Sequence, residues 1–568
     1  MTITEAQPVV TASPHVTVFV DRCVGCQECI IRCPTAALSL DVAPMVAVAH
    51  DELCVGCRQC ERTCPFSAIT VSGPALVTPR IELPARHPER LAGDTTETRA
   101  GIATWAEAIS EASRCLACPD PTCVRGCPAH NDIPSFITAL AEEGLERAHG
   151  VLRRTSVLPD ICARVCDQAV QCEGACTWSL AGGQPVAIGA LERFICDNAP
   201  VPAPEPRPGA TDGLSVAIIG SGPAGLAAAW ELIEAGAHVT IYDKDSKAGG
   251  LLRWGIPDFT LPATIADRPV AALIAAGVEF RLGVEIGPTD LDRLAADNDA
   301  VIIAVGAGRP LHLQVPGADL DGVWDATRFL TEGQTALAQG STLDVLTKPH
   351  GRPASVLVLG AGNTAMDVAR TARRLGADAV CIVWMDRRFA PVRPDELTEA
   401  ETEGVTIHFN TTLAAIEGEA GCVHTARLSR TRQHHPGDRP TVIGRGAERL
   451  DVDLVVMAMG YGIEHTLAER TGDVPIRKTV PSFIDRRWLA SGLFANPAPA
   501  FARHQPVGAL ALGRETARVA ASAPRSDRVW VAGDALTGPA TVVDAMAQGK
   551  EAALGVIFAV RTSQLCRH

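Results

Sequence analysis

Twenty cysteines stand in this 568-residue chain, and sixteen of them fall into four groups of four. Cys23-x-x-Cys26-x-x-Cys29-x-x-x-Cys33-Pro returns 31 residues later as Cys54-x-x-Cys57-x-x-Cys60-x-x-x-Cys64-Pro. Three thiolates at this spacing wrap one cubane from a single loop, and the proline turns the chain away after the fourth. In such repeats the fourth cysteine ligates the other cluster. The expected sets are Cys23, Cys26, Cys29 and Cys64 for one [4Fe–4S] cluster, and Cys54, Cys57, Cys60 and Cys33 for the second. Structural zinc, which takes one tetrahedral quartet per ion and commonly paired C-x-x-C knuckles, is the disfavoured alternative. A second array reads Cys115-x-x-Cys118-x4-Cys123-x3-Cys127-Pro and then Cys162-x3-Cys166-x5-Cys172-x3-Cys176; its spacing does not announce its own pairing. The remaining Cys196, Cys381, Cys422 and Cys566 read as core or surface thiols, Cys381 inside an apolar strand pattern.

Glycines supply the other chemistry. Val216-Ala-Ile-Ile-Gly220-Ser-Gly222-Pro223-Ala224-Gly225 runs from an apolar strand into a G-x-G-x-x-G turn and then a helix pattern. The first glycine permits the tight turn, the second lets the backbone approach a pyrophosphate, and the third lets helix pack on strand. The helix N-terminus offers free N–H groups to the phosphates. A second strand ends in Asp243, eighteen residues past Gly225, placed to accept from a ribose hydroxyl. FAD is the expected occupant, because the cysteine groups upstream look like wiring for single electrons. Asp299-Ala-Val-Ile-Ile-Ala-Val-Gly306 is a buried strand leaving this fold by a glycine turn. Ser355-Val-Leu-Val-Leu-Gly360-Ala-Gly362-Asn363-Thr364-Ala365 opens a second fingerprint with alanine at the third glycine, which such folds tolerate. It should take a nicotinamide nucleotide. Near the end, Val529-Trp-Val-Ala-Gly533-Asp534 is a strand delivering an acid, and Gly538-Pro539-Ala540-Thr541-Val542 begins a helix whose N-terminus would stabilise negative charge on a flavin ring.

The elements that position these groups need several domains at this length. With 47% apolar and 20% charged residues, large cores can be buried. A net charge of −14 argues against nucleic acid or anionic lipid as the main partner. The opening Met-Thr-Ile-Thr-Glu lacks the basic-then-apolar pattern of a secretory leader, and no apolar run is long enough to span a bilayer. The expected compartment is therefore cytoplasmic, with metal rather than disulfides as the use of so many cysteines. Residues 1–75 carry seven acids against four arginines, an acidic balance that could steer a basic partner or be an ordinary solvated surface.

Cys115-Leu-Ala-Cys118, Gly126-Cys127-Pro128, Arg164-Val-Cys166, Cys172-Glu-Gly-Ala-Cys176, Ile188-Gly-Ala-Leu-Glu-Arg-Phe194 and Gly249-Gly250-Leu251-Leu-Arg253-Trp-Gly-Ile-Pro257 closely resemble the small (β) subunit of glutamate synthase. The same motifs resemble the flavin half of dihydropyrimidine dehydrogenase and the large subunit of NADH-dependent ferredoxin:NADP oxidoreductase. The resemblance runs from about residue 100 to the C-terminus, apart from residues 473–526, which match poorly and stay unassigned. It implies two interleaved clusters, one on Cys115, Cys118, Cys123 and Cys176, the other on Cys127, Cys166 and Cys172 with Glu192 as fourth ligand. Cys162 is the rival for that place, and a solvated helix residue is the plain alternative for Glu192. It also implies cofactor contacts at Gly249, Gly250, Leu251, Arg253 and Gly460, and a contact of Asp534 with the ribityl or phosphate region of the flavin. The fold class is then an α/β two-dinucleotide Rossmann-type flavoprotein, preceded by a helical Fe–S domain and a small α+β bacterial-type ferredoxin domain. The expected order is a ferredoxin-like domain (1–75), a linker (76–100), the helical double-cluster domain (101–196) and a second linker (197–213). FAD-domain residues 214–335, the NAD(P) domain (336–480) and FAD-domain residues 481–568 complete it. NADP-using relatives commonly carry Arg-Arg directly after the second strand of the nucleotide fold. Here Met385-Asp386 stand there and Arg387-Arg388 follow two places late. NADPH is the expectation by family; Asp386 would reject its 2′-phosphate by charge unless the two arginines swing to it.

These readings imply an iron–sulfur flavoprotein that passes hydride from NAD(P)H to flavin and single electrons through four [4Fe–4S] clusters to a redox partner, ferredoxin or a catalytic subunit. Flow in the reverse direction uses the same parts. Hydride transfer between bound rings asks the protein mainly to hold them in contact and exclude water, so no catalytic acid or base is expected. A glutamate synthase small subunit and a non-catalytic redox scaffold or sensor are the alternatives. The N-terminal ferredoxin-like repeat argues against the former, and the two intact nucleotide fingerprints against the latter.

Overall fold

A computed structural model of the chain describes residues 13–207, 213–348, 352–435, 438, 440–463 and 528–565. The unassigned stretch 473–526 and Cys566 lie outside the described residues. Two compact units emerge: residues up to Leu83 with Gly101–Pro200 form one, and Pro84–Ala100 with the described residues from Val201 onward form the other.

In the first unit β1 (His15–Val18), β2 (Leu38–Asp41), β3 (Val46–Ala49) and β4 (Ile69–Ser72) make two antiparallel pairs, β1 with β4 and β2 with β3. Val16, Leu38, Ala47, Ile69 and Val71 meet Cys29 and Cys60 in one small core. So little apolar mass leaves such a lobe dependent on metal for much of its stability. The helical part begins with Trp105–Ala112, whose N-cap Thr104 forms a full capping box with Glu107. The helical stretch expected around 135–152 is two helices, Ile133–Glu142 and Leu145–Thr155, because Gly144 turns the chain at a φ of 99°. Helix Pro159–Val165 packs on Ile188–Asn198. Phe136, Leu140, Leu152, Leu191 and Ile195 are fully buried at the centre.

The second unit opens with β5 (Ser215–Ile219), β6 (His238–Asp243), β7 (Glu279–Leu282) and β8 (Ala300–Ile303). The chain leaves on β9 (Arg309–Pro310) into β10 (Val323–Asp325), β11 (Ser355–Leu359), β12 (Asp378–Val383) and β13 (Thr406–Phe409). A three-stranded antiparallel meander follows: β14 (Thr411–Glu419), β15 (Cys422–Arg432) and β16 (Thr441–Asp451). After β17 (Leu454–Met457) the chain returns on β18 (Tyr461–Gly462), and β19 (Val529–Val531) completes the set. Two all-parallel sheets result, ordered β19-β8-β5-β6-β7 and β10-β17-β11-β12-β13, the second inserted in the first. The near-continuous apolar runs of β8, β11 and β17 reflect burial on both faces. β9 and β18, the exit and return strands, pair with each other.

Two boundaries differ from the sequence reading. β10 pairs with β17, and Phe329 and Leu330 of helix Ala326–Ala338 lie in the core of the second sheet, so that fold starts by Val323 rather than at 336. Nor is 76–100 a free linker: Val77, Ile81 and Leu83 pack on the helical core of the first unit. Residues 84–100 form a strap on the second, where Ala85 bridges Arg99 and Thr98 N–H donates to the Phe259 carbonyl at 2.9 Å. Sequence composition hid this because the strap is held by buried charge rather than by apolar periodicity. Among the described residues no helix is long and apolar enough to cross a membrane.

Candidate cluster and dinucleotide sites

The two N-terminal cysteine loops share one backbone. Left-handed residues recur at the same offset as the cysteines: Gly25 and Gly56 (φ 63° and 71°), Gln27 and Arg58 (64° and 56°), Ala36 and Ser67 (54° and 49°). Successive amides turned this way form anion-binding nests. Ala37 N–H donates to Cys33 Sγ at 3.2 Å, and Ala68 N–H to Cys64 Sγ at 3.3 Å, again at matching places. Ala47 N–H reaches Cys23 Sγ at 3.4 Å, as Gly56 N–H reaches Cys54 Sγ. Donors aimed at sulfur suit thiolate ligands and are one of the levers on cluster potential. Cys23, Cys26, Cys29 and Cys64 line one cavity together with Leu40 and Ile69. Burial, then the charges of Cys26, Cys64 and Cys23, push the Cys29 thiol up to about 11. Cys60 rises to about 12 through burial and the company of Cys57, Cys33 and Cys54. Thiols this reluctant to ionise need a positive occupant to become ligands. Among the described residues no three His, Cys, Asp or Glu side chains are placed to hold a single ion.

The helical domain gathers two more groups. Cys123 is raised by burial and by Cys176, Cys115 and Cys118. The Cys172 thiol is raised by burial and then by the charges of Glu173, Cys127, Glu192 and Cys123. A side chain on Gly126 would press on Ala175 and the Gln171 carbonyl, so glycine there lets the loop of Cys127 close on the loop of Cys172 and Cys176. Glu192 is buried, not solvated, and burial with the nearby Asp160 holds its carboxyl up at about 8 against the pull of Arg153. Cys166 hydrogen-bonds Cys162 and neighbours Glu192 and Cys127, so both rivals for the fourth place stand at this bay. The ferredoxin-like lobe meets the helical domain through Arg32, paired with Asp120, and Gln59 Nε2, which donates to the Asp120 carbonyl at 3.3 Å. There Arg62 lies close enough to Cys57, Cys60 and Cys118 to feel all three.

In the first sheet Gly220 N–H donates to the Tyr242 carbonyl at 2.7 Å, closing the fingerprint turn beside the end of β6. A side chain on Gly225 would collide with the Gly220 carbonyl, whereas Gly222 opens onto free space at the start of helix Pro223–Glu234. Asp243 sits at the strand end as expected. Its carboxylate accepts from Ser221 N–H (2.7 Å), Ser221 Oγ (2.5 Å) and Asp245 N–H (2.9 Å), while Ser221 Oγ accepts from Gly249 N–H at 3.1 Å. The acid thus ties the turn to Gly249-Gly250. Beyond them Leu251–Trp254 is a short helix, and Arg253 pairs with Asp267. Arg253 Nε, Trp254 Nε1 and Thr260 Oγ1 are buried without hydrogen-bond partners, a polar set suited to a bound flavin. Gly533 and Asp534 are brought to the same helix start, since a Gly533 side chain would meet Ala224 Cβ. Asp534 accepts from Ala540 N–H at 3.2 Å, and burial with Asp544 nearby holds it up at about 7. The closing helix begins at Val542, later than Gly538, with Asp544 N–H bonded to Thr541 Oγ1. Gly306 turns at a φ of 75°, and the Gly460 carbonyl accepts from Leu311 N–H next to the β9–β18 ribbon.

Three sequence profiles cover most of this ground. The 4Fe-4S dicluster domain matches residues 22–68, dihydropyrimidine dehydrogenase domain II with its 4Fe-4S cluster matches 93–201, and pyridine nucleotide-disulphide oxidoreductase matches 214–486. The small chain of glutamate synthase [NADPH] from Halomonas elongata is 37% identical over 62% of this chain and 76% of its own length. That of Azospirillum brasilense is 33% identical over 79% and 88%. The NAD-dependent dihydropyrimidine dehydrogenase subunit PreT of Escherichia coli is 32% identical over 78% and 92%. The chain belongs to the glutamate synthase small-chain family. It is an NAD(P)H-dependent FAD and iron–sulfur oxidoreductase that moves electrons between NAD(P)H and ferredoxin-type or partner-enzyme acceptors.

The second fingerprint of this small-chain homologue repeats the geometry of the first. Gly360 N–H donates to the Ile382 carbonyl at 3.2 Å, and Gly362 opens onto free space. Ala365 is tolerated at the third position because Gly360 opposite carries no side chain to meet it. Asn363 Oδ1 accepts from Arg393 N–H at 2.9 Å, anchoring the turn to helix Pro394–Thr402; Thr364 follows in the first turn of helix Asn363–Arg374. Asp386 caps the short helix Arg387–Phe389 and is held low by hydrogen bonds from Arg388.

Sequence reasoning missed one buried cluster. Arg370, with no exposed surface, pairs with Glu396 (2.8 Å), Glu399 (2.7 Å) and Glu403 (2.9 Å), and Arg374 also binds Glu403. Arg99 of the strap adds bonds to Glu396 and Glu399, and the Phe259 ring lies under both Arg370 and Arg374. The signal was present: arginines four apart face acids three and four apart. Such spacing reads by default as a solvated helix face.

Proposed function

We propose that this enzyme holds four [4Fe–4S] clusters in line within its first unit and hands electrons to a separate redox partner in the cytoplasm at the ferredoxin-like end. The observation that carries the reading is the sharing of neighbours between bays. Cys123 and Cys127 leave opposite ends of one helix, Thr122–Gly126, so the two bays of the helical domain adjoin. Cys57 feels Cys118 across the seam beside Arg62, joining them to the ferredoxin-like lobe. Cys26 is solvent-exposed, which supports the Cys23, Cys26, Cys29 and Cys64 bay as the outer end. The ligand sets are those expected from the sequence, with Glu192 completing Cys127, Cys166 and Cys172.

FAD supplies the exchange between two-electron hydride chemistry and one-electron transfer when bound. The Gly220–Gly225 turn would cradle its pyrophosphate, the helix start at Pro223 would offer amides, and Asp534 with Ala540, Thr541 and Val542 would face its other end. Arg253, Trp254 and Thr260 would direct their buried polar atoms at it. The Gly360–Ala365 turn with Asn363 and Thr364 would hold NAD(P)H. Residues here bind, orient and exclude water; no acid or base is assigned.

The test is anaerobic stopped-flow with NADH and with NADPH on protein shown to contain FAD and iron. Flavin bleaching followed by slower loss of cluster absorbance is the expected sequence. Bleaching by neither nucleotide would overturn NAD(P)H as electron donor. Cluster assignment is checked by iron and sulfide content.

A further inference from the structure

We propose that the second dinucleotide site selects NADH over NADPH, and that Asp386 is the residue that discriminates. The inference rests on the reading above that this site binds a nicotinamide nucleotide. The two fingerprint folds can be laid on each other by their own hydrogen bonds. Gly220 N–H reaches the Tyr242 carbonyl and Gly360 N–H reaches the Ile382 carbonyl, so Asp243 and Val383 occupy equivalent places. Past Val383 the chain runs Trp384-Met385-Asp386, and the first ionisable group beyond the strand is an acid.

A 2′-phosphate needs a cation free to turn to it. The two arginines that follow Asp386 are already engaged. Arg387 makes a two-pronged pair with Glu401, at 2.6 and 2.7 Å, and its guanidinium lies 5.4 Å from the centre of the Phe409 ring. Arg388 doubles back on Asp386: its N–H and Nε donate to Oδ1 at 3.0 and 2.9 Å, and Nη2 reaches Oδ2 at 3.4 Å. Each arginine is matched by a carboxylate, and the four charges cancel. A phosphate drawn to either one would sit beside the acid that already holds it.

The turn that presents Asp386 is fastened from below. The Met385 carbonyl accepts from Asn410 N–H at 3.1 Å, and the Trp384 carbonyl accepts from Thr431 Oγ1 at 2.5 Å. Asn410 and Thr431 belong to the β13–β14 junction and β15, so moving Asp386 aside means disturbing the meander. A ribose hydroxyl asks only for an acceptor, which the carboxylate supplies.

The experiment is titration calorimetry on the FAD- and iron-loaded protein with ADP-ribose and with 2′-phospho-ADP-ribose, fragments that carry the discriminating end and no nicotinamide. ADP-ribose should bind tighter by about tenfold or more. Asp386→Asn, which keeps an acceptor to cap the turn, should narrow the ratio, and the double variant Met385→Arg/Asp386→Arg should reverse it. Equal or tighter binding of the 2′-phosphate fragment by the native chain would overturn the inference, as would a ratio that ignores both variants. The same protein in stopped-flow separates the two readings. NADPH bleaching the flavin faster than NADH sinks the selectivity and leaves the proposed function standing. ADP-ribose binding with no bleaching by either nucleotide does the reverse.

Discussion

Asp534 is raised from 3.8 to about 7, chiefly by burial. A carboxyl whose folded value lies above its unfolded one stabilises most below about 4 and loses that contribution as pH rises through about 7. In the proposed FAD site, the neutral acid would donate a hydrogen bond where the anion could only accept one. FAD should therefore be retained better at pH 6 than at pH 8, and Asp534→Asn should remove most of that difference, read as FAD release in gel filtration. Gly225→Ala is a second test at this scale: its methyl group would collide with the Gly220 carbonyl, so FAD content should fall to near zero while iron content is kept. Glu192 and Cys162 can be told apart by iron assay. Glu192→Ala should cost about four irons per chain if it removes the cluster proposed on Cys127, Cys166 and Cys172, and Cys162→Ser none.

Among elements, the strap and helices Asn363–Arg374 and Pro394–Thr402 share the buried charge cluster. Arg370→Met leaves Glu396, Glu399 and Glu403, all nearly inaccessible, without their common partner. Breaking one side of a buried pair costs about 3–5 kcal/mol. Urea unfolding followed through the tryptophans should show that loss, while Arg352→Ala, which gives up an exposed arginine's bonds to Asp453, should change little. The glycine fingerprints, the alternating helix and strand patterns and the repeated cysteine loops were legible because each rests on local backbone geometry. The strap was not, because Thr98 and Arg99 find their partners roughly 160 to 300 residues away.

Across the whole molecule, the seam between the ferredoxin-like lobe and the helical domain places Arg62 beside Cys57, Cys60 and Cys118. A fixed cation there favours electrons on either side, so Arg62→Gln should lower the potentials of the adjoining clusters by tens of millivolts, on the order expected for one nearby charge, in a spectroscopic redox titration. The sequence by itself determined the class of chemistry, the two nucleotide folds and the family, because cysteine spacing and strand–glycine–helix grammar are local and few alternatives satisfy them. Tertiary structure alone decided that Cys23, Cys26, Cys29 and Cys64 line one cavity, that Glu192 is buried, where the strap binds, and that Arg387 and Arg388 are already paired. Those outcomes depend on side chains distant in sequence meeting in low dielectric, where burial and partner charge outweigh anything a residue's neighbours in the chain can dictate.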